Sequence, residues 1–204
     1  MGNESKMMTM DDIREPSWKK WVVHIPKYLN DQQCEDVCKL GRAYPPQESK
    51  IGHVTKGQGT NLKIRKSKIT FLPKNDQCKF LYDRLLQDVL HINRENFGFE
   101  NISIFEETQY GEYYGDGGHY TWHTDAEING KNNGIVRKIS VSILLNDPSE
   151  FDGGDLELLT EGRKAPLEKG DAVFFASFLI HRVTPVTRGV RKSLVQWFAG
   201  PPFK

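Results

Sequence analysis

The sequence predicts a mostly β fold, a double-sheet jelly roll buttressed by helices on one face, and three observations predict it. Two amphipathic helical patterns come first, before Gly98. From Ile102 onward short β-type runs follow one another at close spacing, at 102–110, 119–125, 137–145, 155–159, 171–176, 179–184 and 191–198. Turn residues punctuate these runs at Asn129-Gly130, Asn133-Gly134, Gly153-Gly154, Lys169-Gly170-Asp171 and Arg188-Gly189. Helices first and strands afterwards suit a closed β core with helical support.

The elements follow in order. Residues 1–17 are polar and aperiodic, and read as a flexible arm. WVVHIP (21–26) is rich in β-branched residues and reads as a strand stopped by Pro26. Asn30 is a good N-cap, Gln33 completes a capping box, and Cys34, Val37, Cys38 and Leu40 carry the helical period to Gly41. Residues 44–60, with Pro45, Pro46, Gly52, Gly57 and Gly59, have no sustained period and read as a long loop of the kind that forms lids. A strand at 62–72 ends at Pro73. Asn75 then caps a helix in which Phe80, Leu81, Leu85, Val89, Leu90 and Ile92 recur at three or four residues until Gly98. One domain of ordinary length accounts for 18–204, with helical support at 18–100 and the jelly-roll core at 101–200.

Composition narrows the function classes. Twenty-eight basic against 27 acidic residues leave a net charge of +1, so no overall field draws the chain to nucleic acid or to an acidic membrane. Three cysteines do not make a disulfide framework, and Cys34 with Cys38 have helical spacing. No apolar run approaches the roughly 20 residues of a membrane span. The charged opening MGNESKMMTMDDIREP lacks the apolar stretch of a secretion signal, so the expected compartment is cytoplasmic and reducing.

His123 and Asp125 stand two apart in a strand, so their side chains point the same way. Alone this is a common pattern. His181, fifty-six residues after Asp125 on another core-type strand, completes a set of two imidazoles and one carboxylate. Such a set occupies one face of an octahedral metal and leaves three positions open, which suits non-haem Fe(II) better than a closed tetrahedral zinc site. Arg191 shares its strand parity with Ser193, Val195 and Trp197 and is the arginine expected to face inward, where its planar fork would bind a carboxylate. Arg188 and Lys192 read as surface residues. His119 shares a face with His123 but lacks an acidic residue two positions on; His24, His53 and His91 read as solvated or packed. The basic run Lys63 to Lys68 reads as a solvated strand face, with the holding of an acidic substrate as the less favoured role.

Between Ile102 and Ala199 the segments QYGEYYGDGGHYTWHTD, RKISVSILLND, FDGGDLEL, LEKGDAVFF and HRVTPVTRGVRKSLVQW occur in that order, preceded by IPKYLNDQQCEDV. In this combination the chain resembles the Fe(II)- and 2-oxoglutarate-dependent dioxygenases, and among them the prolyl 4-hydroxylase-like branch. The resemblance implies a double-stranded β-helix in which His123, Asp125 and His181 hold Fe(II) and Arg191 binds the distal carboxylate of 2-oxoglutarate, helped by Ser193. It places Tyr110 near the chelating end of the cosubstrate, and Tyr120, Arg137 and Trp197 beside the substrate. Where many relatives carry a tyrosine for the distal carboxylate this chain has Leu144, which leaves Ser193, Ser142 or Tyr110 as its second partner.

The implied reaction consumes O2 and 2-oxoglutarate, yields succinate and carbon dioxide, uses ascorbate as reductant, and hydroxylates a proline in a peptide or protein, as a procollagen-proline 4-dioxygenase does. The carboxylate Asp125 favours hydroxylation over halogenation, since halogenating relatives carry a small residue there. Hydroxylation of a free amino acid or other small molecule stays open, as does a cupin-like module that holds metal without turnover. Repair of alkylated nucleic acid fits less well with the balanced charge.

Overall fold

Trp21 leads into β1 (Val22–Ile25), and Pro26 ends it. The structure, a computed structural model, describes residues 21–48, 62–126, 134–159, 163–165 and 167–203. The expected arm at 1–17, most of the 44–60 loop and residues 127–133 of the loop after Asp125 lie outside the described residues. In α1 (Asp31–Ala43), Asn30 Oδ1 accepts from Gln33 N at 2.9 Å and Gln33 Oε1 accepts from Asn30 N at 3.0 Å, so the expected capping box is formed. After β2 (Gln47–Glu48), the basic segment gives β3 (Arg65–Lys66) and β4 (Lys68–Leu72), then α2 (Lys79–Ile92) and a π turn to Phe97 closed by Gly98 in the left-handed region. The remaining strands are β5 (Thr108–Tyr114), β6 (Gly118–His123), β7 (Val136–Leu144), β8 (Phe151–Gly153), β9 (Leu156–Leu158), β10 (Arg163–Lys164), β11 (Ala172–Ala176) and β12 (His181–Gly200).

All strand pairs are antiparallel. The major sheet runs β1-β11-β7-β12-β5-β4-β2. The minor sheet is built around the first half of β12, which pairs with β6, β8 and β9, while β3 extends β6 and β10 extends β9. Strand β12 therefore belongs to both sheets, and its bend closes the roll.

Alternation along the major sheet sorts its two faces by chemistry. Ile139, Val141, Ile143, Leu194 and Phe198 look outward and share one core with Val37 of α1 and Leu81, Leu85 and Val89 of α2. The opposite parity, including Ser142, Gln109, Arg191 and Ser193, lines the inside of the roll. The main hydrophobic core thus lies between sheet and helices, and the interior of the roll sets a few polar side chains among a smaller apolar cluster of Tyr113, Leu144, Phe151, Val183 and Val186.

Four sequence expectations are corrected. The runs at 179–184 and 191–198 are parts of one strand, because β12 carries its pairing through Pro185 by changing sheets and using bulges. The 62–72 strand is two strands, broken at Ser67, with β3 in the minor sheet and β4 in the major. The 102–110 run begins regular pairing only at Thr108, although Ser103 bridges to Ala199. Asn75 accepts from Cys78 N at 3.1 Å in a turn that precedes α2, and the residue at the cap is Cys78.

Candidate metal centre

In β12 and β6, His181 and His123 are register partners, which brings together two residues far apart in sequence. Asp125 follows just past the end of β6, where its N–H and that of Ala126 both donate to Ser177 O at 2.9 Å, fixing the chain that carries the carboxylate. His123 Nε2 lies 3.6 Å from Asp125 Oδ1, and His181 Nε2 lies 3.5 Å from Asp125 Oδ2. One ligand atom from each of the three residues falls within 4.8 Å of the others.

The donor set fits a divalent metal. His123 Nδ1 faces Thr121 O at 2.8 Å and His181 Nδ1 faces Leu179 O at 2.9 Å. A carbonyl only accepts, so each Nδ1 carries a proton, and each Nε2 is the ring nitrogen turned toward Asp125. Burial, reinforced by His181, pushes the His123 imidazole down to about 4, so it stays neutral near pH 7. Burial alone would raise Asp125, but the two histidines, Arg137 and the hydrogen bond from Ser140 hold it below the usual carboxylate range. Two imidazoles and one carboxylate match the two-histidine, one-carboxylate face of non-haem iron.

Arg191 lines the same cavity, 2% exposed, with its guanidinium 5.6 Å from the centre of the Tyr113 ring. Gly154 passes directly over it; a Cβ there would stand 2.8 Å from Arg191 Cδ, at a φ of +67 that favours glycine in any case. Beyond Arg191 opens a second chamber of about 260 Å³ lined by Gly154, Asp155 and Lys164 among others. The Asp155 carboxylate is committed to Lys164 at 2.7 Å. Among the described residues no hydrogen bond or ion pair reaches the Arg191 guanidinium, and Asp155 acts on it only across the chamber, so a buried cation faces the cavity without a contacting anion.

Ser193 and Ser142 line this cavity, as do Tyr120 and Trp197. Tyr120 stacks on His123 with ring centres 3.5 Å apart. The Trp197 indole Nε1 is buried with no hydrogen-bond partner among the described residues, and the Arg137 guanidinium sits 4.0 Å over its ring while pairing with Glu106.

Tyr110 is not brought to the site. It occupies the outward face of β5 beneath α1, where its ring is so close to Gly41 that a Cβ would sit 2.3 Å from Cγ, and its hydroxyl donates to Glu112 at 2.7 Å. Tyr113, on the other parity, takes the place in the cavity. Leu144 lines the chamber beyond Arg191 and offers no hydroxyl. His119 faces the carbonyls of Gly117 and Lys63, and His24 pairs with Asp171 at 2.9 Å, so neither joins the triad.

Besides Tyr113, two residues that matter here were not singled out from the sequence. Arg65, in the run expected to be solvated, is buried in the cavity wall. Ser140 donates to Asp125. The inward parity of β7 carries the signal for Ser140, whereas nothing local marks Arg65.

A model of the 2OG-Fe(II) oxygenase superfamily matches residues 108–199, the segment that carries all three ligands and Arg191. A PKHD-type hydroxylase, YbiX, of Escherichia coli strain 55989 is 31% identical over 189 residues, spanning 86% of this chain and 77% of that protein. Among solved structures, the viral collagen prolyl hydroxylase of Paramecium Bursaria Chlorella virus-1 superposes with a TM-score of 0.69 at 19% identity, over 88% of this chain and 96% of that one. A prolyl hydroxylase from Trichoplax adhaerens, solved with a hypoxia inducible factor peptide, gives 0.64 at 20% identity, over 88% and 83%. Among the described residues no helix is long and apolar enough to cross a membrane.

Proposed function

Because the chain belongs to the 2OG-Fe(II) oxygenase superfamily, we propose that it is a hydroxylase of prolyl residues in a peptide or protein, using Fe(II), 2-oxoglutarate and O2 with ascorbate as reductant. The observation that carries the reading is one cavity holding both the His123, Asp125 and His181 set and a buried arginine that no anion contacts among the described residues. When bound, iron and 2-oxoglutarate supply the oxidative decarboxylation to succinate and carbon dioxide and the oxidising power for an unactivated C–H bond.

The chain's own residues supply placement. His123, Asp125 and His181 would hold the iron, with Nε2 of each imidazole presented by the backbone carbonyl that holds its Nδ1 proton. Arg191 would neutralise the distal carboxylate of 2-oxoglutarate, with Ser193 and Ser142 as hydroxyl partners from the same wall. Phe175 packs edge-on against His181 at 4.7 Å and keeps water from that flank. Tyr120 and Trp197 give the aromatic walls an extended proline-containing chain requires. The prolyl assignment draws support from the structural neighbours, which include a collagen prolyl hydroxylase and one bound to a peptide.

Incubation of proline-containing peptides with the protein, Fe(II), 2-oxoglutarate and ascorbate, followed by mass spectrometry, tests this. The expected result is a gain of one oxygen on proline that Asp125→Ala abolishes. Oxygen incorporated into a free amino acid and into no peptide would overturn the prolyl reading.

A further inference from the structure

Arg65 belongs to β3, where it is the register partner of Tyr120 in β6, and its side chain follows that of Tyr120 into the cavity of the metal ligands. Its guanidinium carbon lies 4.7 Å over the Tyr120 ring, the same ring that stacks on His123. Arg65 is 6% exposed, and its Nε donates to Ser67 Oγ at 2.9 Å. No other hydrogen bond and no carboxylate reaches it among the described residues.

The other arginines make the contrast. Arg182 pairs with Glu157 at 2.6 Å, Arg188 with Asp152 at 2.7 Å, and Arg137 with Glu106, all of them more exposed than Arg65. Water would screen a lone charge at those positions, yet each has a carboxylate. Within the cavity, where an uncompensated cation is most costly, no carboxylate among the described residues pairs with Arg191 or Arg65. One dicarboxylate cosubstrate engages one of them: Arg191 partitions this cavity from the chamber beyond, which Arg65 does not line. Arg65 stands instead beside the ligand-stacked Tyr120, where a substrate would be oxidised.

We propose that Arg65 is a specificity residue that pairs with a carboxylate of the substrate, so that the preferred substrate carries an acidic group next to the residue it presents for hydroxylation. The inference rests on the hydroxylase reading and narrows its substrate class to anionic chains. A main-chain carbonyl is a weaker match, since it accepts hydrogen bonds from the fork but leaves the charge uncompensated. Cation–π contact with Tyr120 accounts for one face of the guanidinium and for none of its in-plane donors.

The test is fluorescence anisotropy with fluorescein-labelled, C-terminally amidated peptides that differ only in Asp or Asn beside a central proline, titrated with the full chain loaded with Mn(II) and 2-oxoglutarate. The wild type is expected to bind the Asp peptide about tenfold more tightly, the size of one charge-assisted pair. Arg65→Gln should bring the two peptides to parity, Arg65→Lys should keep part of the preference, and 2-oxoglutarate affinity should be unchanged in both. Equal affinity of the wild type for the two peptides, or no measurable binding of the Asp peptide, overturns the proposal without depending on any variant's folding. So does equal loss for both peptides in Arg65→Gln, or a loss of 2-oxoglutarate binding there. Affinity is read apart from turnover: an Asp preference with no oxygen added to proline removes the prolyl reading alone, and hydroxylation with no preference removes this inference alone.

Discussion

Ser140 on β7 donates a hydrogen bond to Asp125 Oδ2 at 2.7 Å and sits 2.9 Å from the hydroxyl of Ser177. The candidate ligand carboxylate is thereby held from behind by a fully buried hydroxyl, while its two oxygens face the two histidines. Ser140→Ala frees the carboxylate to rotate without removing it. Its Kd for Mn(II), followed by calorimetry, should rise by about 10- to 100-fold with the fold intact; an unchanged Kd would mean the backbone alone orients Asp125.

If Arg191 pairs with the distal carboxylate of 2-oxoglutarate, Arg191→Ala leaves that carboxylate buried without a cation. The cost should be about 3 kcal/mol or more, roughly a hundredfold in Kd for 2-oxoglutarate. Arg188, exposed and paired with Asp152, is the control, and its replacement by alanine should change that Kd by less than about twofold. Similar effects from the two would show that the wrong arginine faces the cosubstrate.

Tyr113 and Tyr110 separate by face. Tyr113→Phe removes a hydroxyl from the cavity wall and should raise the KM for 2-oxoglutarate while the melting temperature holds. Tyr110→Phe removes the bond to Glu112 beneath α1 and should cost about 1 kcal/mol of stability with KM unchanged. Thermal melts and steady-state kinetics on the pair read both quantities, and an exchange of the two phenotypes would reverse the assignment.

Arg137 lies over the Trp197 ring and pairs with Glu106. If this corner serves the substrate, Arg137→Ala should raise the peptide KM or lower peptide turnover while succinate continues to form without hydroxylated product. Unchanged peptide hydroxylation would leave Arg137 a packing residue.

Asp171 anchors the start of the fold: its carboxylate accepts from Lys27 N at 2.8 Å and Glu168 N at 3.1 Å and pairs with His24. Burial opposes its ionisation, but these bonds prevail and hold its pKa below the ordinary carboxylate value. A depressed folded pKa means stability present above the unfolded value of about 3.9 and lost as pH falls through the folded one. Asp171→Asn should therefore cost about 1 to 3 kcal/mol near pH 7, and the gap from wild type should close as pH drops below about 4. A gap that is constant down to pH 2 in denaturant titrations would contradict this.

Much of the site was legible because it rests on short-range geometry. His123 and Asp125 share an orientation through their spacing, and strand parity picked Arg191, Ser193 and Trp197 as one row, which the structure places along one cavity. The Asn30 and Gln33 cap is likewise a contact across three residues. Tyr110 shows the limit of such reading. It and Tyr113 sit on one strand with opposite parity, and nothing within β5 says which face α1 will cover.

The sequence by itself determined the fold class, the donor set and the inward row of β12, because local spacing fixes which side chains point together whatever the chain packs against. Tertiary structure alone decided which face of β5 lines the cavity, that Ser140 lies against Asp125, and that Arg65 leaves a solvated-looking run for a buried cavity wall. Each depends on strand register across the sheets: the break at Ser67 hands Arg65 to β6 while Lys68 goes to β5. Register is set by burying the apolar face of the major sheet beneath the helices, a balance over the whole core that no segment carries alone.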